Sequence, residues 1–275
     1  MKLGGGLVAI ALVLAVACAA TPGLALENLG PPIPCGVGMV ERSAPRLHRA
    51  SVVPMQAQAS PVRLTFVGHA TFLIESPEGV SLATDYNGHN VPRNTPDIVT
   101  MNRFHITHYT PYPDPAIKYV LRGWDPDGGV VRNHAKLKDL RIYSVPSNIQ
   151  HYGTRTTHDN SLFVFETGGI CIAHLSHLHH DLTEEDVTRL GRIDVLIVPV
   201  DGYVTMSHAE VLHIISVIRP RLVLPCHWDL FGGPLAFAHR VQGQYPTKTT
   251  TSNVIELRQD MLPRQTEILF MRQGP

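Results

Sequence analysis

From residue 62 apolar and polar positions alternate: Val62, Leu64 and Phe66 interleave with Arg63 and Thr65, so 62–67 predicts a strand with one buried face. Gly68-His69 turns the chain, and 71–75 gives a second strand. Pro77-Glu78-Gly79 marks a turn before a third strand over 80–84, which ends at Asp85. Short apolar runs at 97–101 and 142–145 predict two more. Residues 161–166 and 170–174 flank Thr167-Gly168-Gly169, a hairpin signal, because glycines meet the positive φ of a tight turn.

Past residue 180 the period lengthens. Thr183-Glu184-Glu185-Asp186 offers an N-cap with an acidic first turn, opening a helix that ends near Gly191. Residues 193–198 predict a buried strand closed by Pro199. Ser207-His208-Ala209-Glu210 is a capping-box pattern. The helix it starts places Val211, Ile214, Ile215 and Ile218 on one face, and Pro220 stops it. Residues 222–224 predict another buried strand, running into Pro225-Cys226-His227. A strand-rich half followed by strands alternating with helices predicts α/β (or α+β) layers around one core.

The N-terminus breaks this pattern. Lys2, an apolar run over 7–17 and small residues after it form a secretory signal peptide over 1–25, with cleavage after Ala19 or Ala25. The expected location is therefore periplasmic or secreted. A lipoprotein anchor at Cys18 is the alternative, weakened by Ala15 where a branched residue is usual. Residues 26–60, rich in Pro, Ala, Ser and Gln and without a period, read as an extended lead-in, and 61–275 as the folded domain. In the mature chain no apolar run is long enough for a transmembrane helix.

Composition narrows the classes. Lys+Arg and Asp+Glu are 23 each in 275 residues, without the basic excess of a nucleic-acid binder. The chain is 44% hydrophobic and 17% charged, which argues against disorder. With the signal removed, Cys35, Cys171 and Cys226 remain, so at most one intramolecular disulfide can form. The count that changes the picture is 16 histidines. They gather past the ends of predicted strands: His105 and His108 in Arg103-Phe104-His105-Ile106-Thr107-His108, then His174, His177, His179 and His180, then His227. Ligands of layered α/β proteins bind at such strand ends, and imidazole suits Zn, Cu, Fe or Ni. His105 and His108 share a face of a helical turn, and His177 and His179 one side of an extended loop. The plainer reading is a histidine-rich surface loop that collects metal adventitiously.

Several segments resemble the metallo-β-lactamase superfamily, in particular its divergent hydrolase branch with ascorbate-6-phosphate lactonase and phospholipase-D-like members. They are Val67-Gly68-His69-Ala70-Thr71-Phe72-Leu73-Ile74-Glu75, Leu82-Ala83-Thr84-Asp85, Pro96-Asp97-Ile98-Val99-Thr100, Ile172-Ala173-His174-Leu175, Ile193-Asp194-Val195-Leu196-Ile197-Val198-Pro199, and the run from Arg219 to His227. The resemblance implies an αββα four-layer sandwich with a metal site at one edge of two packed sheets. It also implies a metal-dependent hydrolase whose metal-bound hydroxide attacks an ester, lactone, amide or phosphodiester of a small-molecule substrate.

The family's HxHxDH motif falls on residues 103–108. His105 and His108 match its second and third histidines, while Arg103 and Thr107 replace its first histidine and its aspartate. The family's bridging aspartate falls on His177 and its final histidine on His227, and His151 lies in the segment of the remaining one. Two carboxylates that would offset a pair of cations are thus missing, and the expectation is one ion: zinc, with iron or manganese as alternatives. Its expected ligands are His108, His177 and His227, with His105 a fourth ligand or a hydrogen-bond partner and His151 a further candidate. His69 resembles the family's Gly-His turn and is expected around the ligands, facing substrate. Asp85, which orients a ligand imidazole in one reading, is with Asp201 and His180 a candidate general base. Arg103 recognises an anionic group of the substrate or pairs with a nearby acid. Trp124 and residues 111–115 are candidate pocket walls. The alternative function is a non-catalytic metal- or ligand-binding protein that kept the fold; a copper or iron redox site is a third.

Overall fold

The computed structural model describes residues 25–36, 60–151, 154–227 and 233–274. In chain order the strands and helices are β1 (Glu27–Asn28), β2 (Val62–Gly68), β3 (Thr71–Glu75), β4 (Ser81–Ala83), β5 (Ile98–Met101), β6 (Tyr119–Arg122), β7 (His134–Leu137), β8 (Leu140–His151), β9 (Thr154–Thr167) and β10 (Ile170–His174). There follow α1 (Glu184–Leu190), β11 (Val195–Pro199), α2 (His208–Ile218), β12 (Leu222–Cys226), α3 (Gly233–Val241), β13 (Thr247–Thr249), β14 (Val254–Leu257) and β15 (Glu267–Phe270).

They build two sheets. The first runs β1-β7-β8-β9-β10-β11-β12-β15-β13 and the second β14-β2-β3-β4-β5-β6. Strand alternation sorts the side chains. Leu64, Phe66, Phe72, Ile74, Leu82 and Ile98 of the second sheet meet Ile142, Phe163, Phe165, Ile172, Ile197 and Leu224 of the first in a fully buried core. On the other face of the first sheet, Tyr143, Val164, Ala173, Leu196 and Val223 pack under Leu190 of α1, Val211, Ile214 and Ile215 of α2, and Phe237 and Val241 of α3. The outer face of the second sheet carries Ala83, Val99 and Met101 beneath Tyr86, Ile117 and Trp124. The α/β sandwich expected from the sequence is there. Among the described residues its fourth layer, over the second sheet, is a packed loop rather than a helix.

Local signals act as their chemistry predicts. Thr183 and Ser207 form capping boxes with Asp186 and Glu210. Gly168 and Gly169 take φ of 57° and 74° and turn the β9–β10 hairpin. Among the described residues no helix is long and apolar enough to cross a membrane.

The expected signal peptide lies, but for Ala25, outside the described residues. Of the expected lead-in, residues 26–36 are tied to the domain. β1 pairs with β7, and Arg141 Nη1 donates to Ile33 O at 2.8 Å. Cys35 is bonded to Cys171 in β10, 136 residues away, and Cys226 is a buried thiol outside that bond. The Tyr143 hydroxyl accepts from Cys35 N at 2.8 Å and donates to Leu190 O at 2.6 Å. Burial pushes this phenol up to about 12.

Candidate metal centre

The site forms where strands from both sheets end. β2 runs out at Gly68 into His69, and β12 at Cys226 into His227. The His227 N–H donates to the His69 carbonyl at 2.8 Å, which locks the two turns together and brings their rings to 4.2 Å. Asp85 follows β4 and Ser176 follows β10. All four turning residues have left-handed backbone, with φ of 52° at His69, 48° at Asp85, 53° at Ser176 and 57° at His227. Such conformations are uncommon outside glycine, cost about 1 kcal/mol or more each, and persist where surrounding structure enforces them.

Two buried carboxylates then aim two imidazoles. Asp85 Oδ2 accepts from His108 Nδ1 at 2.8 Å and from Ser176 Oγ at 2.7 Å, and Oδ1 accepts from Asn102 N at 3.3 Å. One carboxylate therefore clamps both ends of the 102–108 loop. Asp201 Oδ2 accepts from His227 Nδ1 at 2.9 Å and from the Thr205 hydroxyl. Its Oδ1 gathers the backbone N–H groups of Tyr203, Val204 and Thr205. With Nδ1–H given to a carboxylate, each ring presents the lone pair of Nε2 to the interior, the arrangement that tunes metal-ligating histidines.

The ligand atoms of His69, His108 and His227 lie within 4.8 Å of one another. His108 and His227 are nearly parallel, at 6° with centroids 5.3 Å apart. His108 Nε2 is buried with no hydrogen-bond partner. Burial, reinforced by His227 and His69, holds the His108 imidazole well below its usual pKa, in the neutral form that binds metals. These donors fit one divalent ion, with three imidazoles converging on a buried point and an unused lone pair among them.

The other predicted residues fall at increasing distance from that point. His177 packs against the trio, 4.5 Å from the His108 ring and 5.0 Å from that of His227, with Nδ1 3.2 Å from His227 Nε2. Burial, then His108 and His227, keep it neutral as well. His105 is exposed, stacked on His177 at 5.5 Å, with Nδ1 2.8 Å from Thr107 Oγ1. His180 is spent on backbone: Nδ1 meets Asp181 O at 2.7 Å and Nε2 accepts from Asn148 N at 3.3 Å, so neither nitrogen is poised as a general base. His151 ends β8 opposite Thr154, and its side chain lies outside the described residues. Arg103 is 7% exposed and makes a backbone bridge to Asn160. Burial lowers its pKa while Asp159 and Asp85 oppose that. Trp124 is buried beside Tyr109 and Phe104, at 5.3 and 6.0 Å between centroids.

Sequence reasoning set His69 outside the ligand group, and the geometry brings it inside. The signal was available: Gly68-His69 ends a strand as Cys226-His227 does. The pairing of Asp201 with His227 carried no such signal, since the two residues sit past different strands.

Comparison with known proteins agrees with this architecture. A Beta-lactamase superfamily domain model matches residues 63–227. A UPF0173 protein of Pyrococcus abyssi is 26% identical over 187 residues, covering 62% of this chain and 86% of its own. A UPF0173 metal-dependent hydrolase of Caldivirga maquilingensis is 34% identical over 94 residues, 34% of this chain and 39% of its own. Among solved structures, a protein of the metallo-beta-lactamase superfamily from Thermotoga maritima aligns with a TM-score of 0.58 at 24% identity, covering 77% of this chain and all of that one. The metallo-beta-lactamase fold protein YhfI from Bacillus subtilis aligns at 0.53 and 11%, over 78% and 98%. With its family model spanning more than half of the sequence, the chain belongs to the beta-lactamase superfamily, alongside relatives named metal-dependent hydrolases.

Proposed function

We propose that the protein is a hydrolase dependent on a single divalent ion, zinc, held by His69, His108 and His227, with His177 completing the set. The observation that carries this reading is the buried, unpartnered His108 Nε2 facing two other imidazoles. When bound, such an ion acidifies water and polarises the oxygen of an ester, lactone, amide or phosphodiester. Asp85 and Asp201 fix the imidazoles through Nδ1 and bring two negative charges one residue away from the ion. That charge offsets one divalent cation and leaves little for a second. Both carboxylates are occupied by these hydrogen bonds, so their role is positioning. Arg103 and the aromatic wall of Phe104, Tyr109 and Trp124 suit a small, anionic substrate. The Cys35–Cys171 bond supports an oxidising location, periplasmic or secreted, in keeping with the signal-like N-terminus.

The test is metal analysis of untagged protein joined to a screen of esters, lactones and phosphodiesters with zinc, manganese or iron. One equivalent of zinc is expected, with turnover lost in His108→Ala and His227→Ala while the fold persists. Two tightly held equivalents would overturn the single-ion reading, and full zinc retention in both variants would overturn the site. Stoichiometric zinc without turnover of any substrate class favours a non-catalytic metal-binding protein instead.

A further inference from the structure

We propose that His174 is a positioning residue for the metal centre: reaching across from the first sheet, its imidazole holds the turn that presents His69, and zinc affinity depends on it through His69. This rests on the single-ion hydrolase reading and adds to it the group that sets one ligand in place.

His174 stands where an apolar residue would pack. Side chains of β10 alternate: Cys171 and Ala173 face the helices, Ile170 and Ile172 the core between the sheets, and His174 continues the inner row. It is fully buried, in T-shaped contact with Phe72 of the second sheet at 6.3 Å between centroids. A polar ring there is costly unless it is hydrogen-bonded. His174 makes one such bond, from Nε2 to the Ala70 carbonyl at 2.8 Å. Burial keeps the ring neutral, and a carbonyl only accepts, so its one proton is on Nε2. Nδ1 is then a buried lone pair with no hydrogen-bond partner. At 4.0 Å from Asp85 Oδ2 it is too far to join that carboxylate's network.

That bond lands on the residue after His69, whose left-handed φ of 52° needs enforcement from outside. Two consecutive carbonyls of the turn are held from the first sheet: His69 O accepts from His227 N at 2.8 Å, and Ala70 O from the His174 ring. Thr84, which follows β4 of the second sheet, adds a longer bond from its hydroxyl to Ala70 O at 3.2 Å. Together they fix both peptide planes that follow His69, and with them the direction in which its ring leaves the backbone. The donor stands on a rigid element, since β10 is paired on both sides here, with His174 opposite Phe163 of β9 and Ile197 of β11.

The experiment compares wild type, His174→Gln and His174→Leu as purified full chains. The glutamine amide places an N–H donor near the position of Nε2, while leucine fills the core without one. In metal-free wild type, NMR should find the His174 proton on Nε2. Exchange of the His227 amide that bonds to His69 O should be about tenfold faster in His174→Leu, and within about threefold of wild type in His174→Gln. By chelator competition His174→Leu should weaken zinc about 10- to 100-fold, as loss of an outer partner does, and His174→Gln should recover most of that. In a His69→Ala background His174→Leu should cost zinc less than about twofold, because the residue it acts through is gone. A proton on Nδ1, zinc affinity unchanged in His174→Leu, or His174→Gln no better than His174→Leu overturns the proposal. An equal loss with and without His69 overturns it too, since that marks a general loosening of the core. If wild type binds no zinc, the hydrolase reading falls, and the proton position and His227 exchange still decide whether His174 holds the turn.

Discussion

Asp85 and Asp201 perform the same task in opposite surroundings. Each is buried, and each holds the Nδ1 of one imidazole. For Asp85 burial dominates and raises the carboxyl, although His174, Ser176 and Asn102 pull the other way. For Asp201 burial is outweighed by hydrogen bonds from His227 and Thr205, which hold it well below the usual carboxylate range. The difference lies in the loops. Asp201 is wrapped by three consecutive backbone N–H groups of its own turn, a local nest of donors. Asp85 draws its donors from two distant segments, Asn102 and His108 at the ends of one loop and Ser176 beyond β10. One carboxylate is an anchor that its own loop makes; the other is a hub that ties the site to the fold.

This contrast can be broken in order of effect. His108→Ala and His227→Ala should each cost zinc more than about 100-fold, beyond the ~10- to 100-fold expected for outer partners, as chelator competition will read; an unequal pair of losses would show that the imidazole held by the hub and the one held by the anchor do not share the ion equally. Asp85→Asn should lose about 10- to 100-fold in zinc affinity and about 2 kcal/mol of stability. Both of its oxygens face donors, so an amide NH₂ must oppose one of them; denaturant unfolding measures the loss. Asp201→Asn should weaken zinc over the same range but cost only about 1 kcal/mol, because the amide oxygen keeps three backbone donors while the NH₂ meets two groups that can turn, the His227 ring by its tautomer and the Thr205 hydroxyl by rotation. Equal destabilisation by the two substitutions would erase the distinction between hub and anchor. Ser176→Ala, removing one donor to Asp85, should cost about 1 kcal/mol and leave zinc affinity nearly unchanged.

Much of the fold was legible because its signals are local. Capping at Thr183 and Ser207, the Gly168-Gly169 turn and the apolar runs of β2, β10, β11 and β12 lie in single windows of sequence. β13, Thr-Lys-Thr and wholly exposed, has no alternation to detect. The long β8–β9 hairpin extends through Ser147 and Asn160, which pair, and past an irregularity at Asn148, whose side chain accepts from His158 N; these residues favour turns and are held in the strands by contacts across the hairpin. At the site, convergence of His108, His177 and His227 was readable from strand ends. The inward place of His69 depends on its backbone bond to His227, a contact across 158 positions that no local pattern encodes.

The Cys35–Cys171 crosslink has a temporal consequence. It closes a 136-residue span, and the chain-entropy estimate for a loop of that length is about 5 kcal/mol. During synthesis Cys35 emerges first and stays a thiol until Cys171 of β10 has been made, so the N-terminal strap cannot be fastened before more than half of the chain exists. Thiol trapping along a refolding time course should find Cys35 reactive until the β9–β10 hairpin forms, and a protein matured under reducing conditions should carry a complete site on a loosened frame.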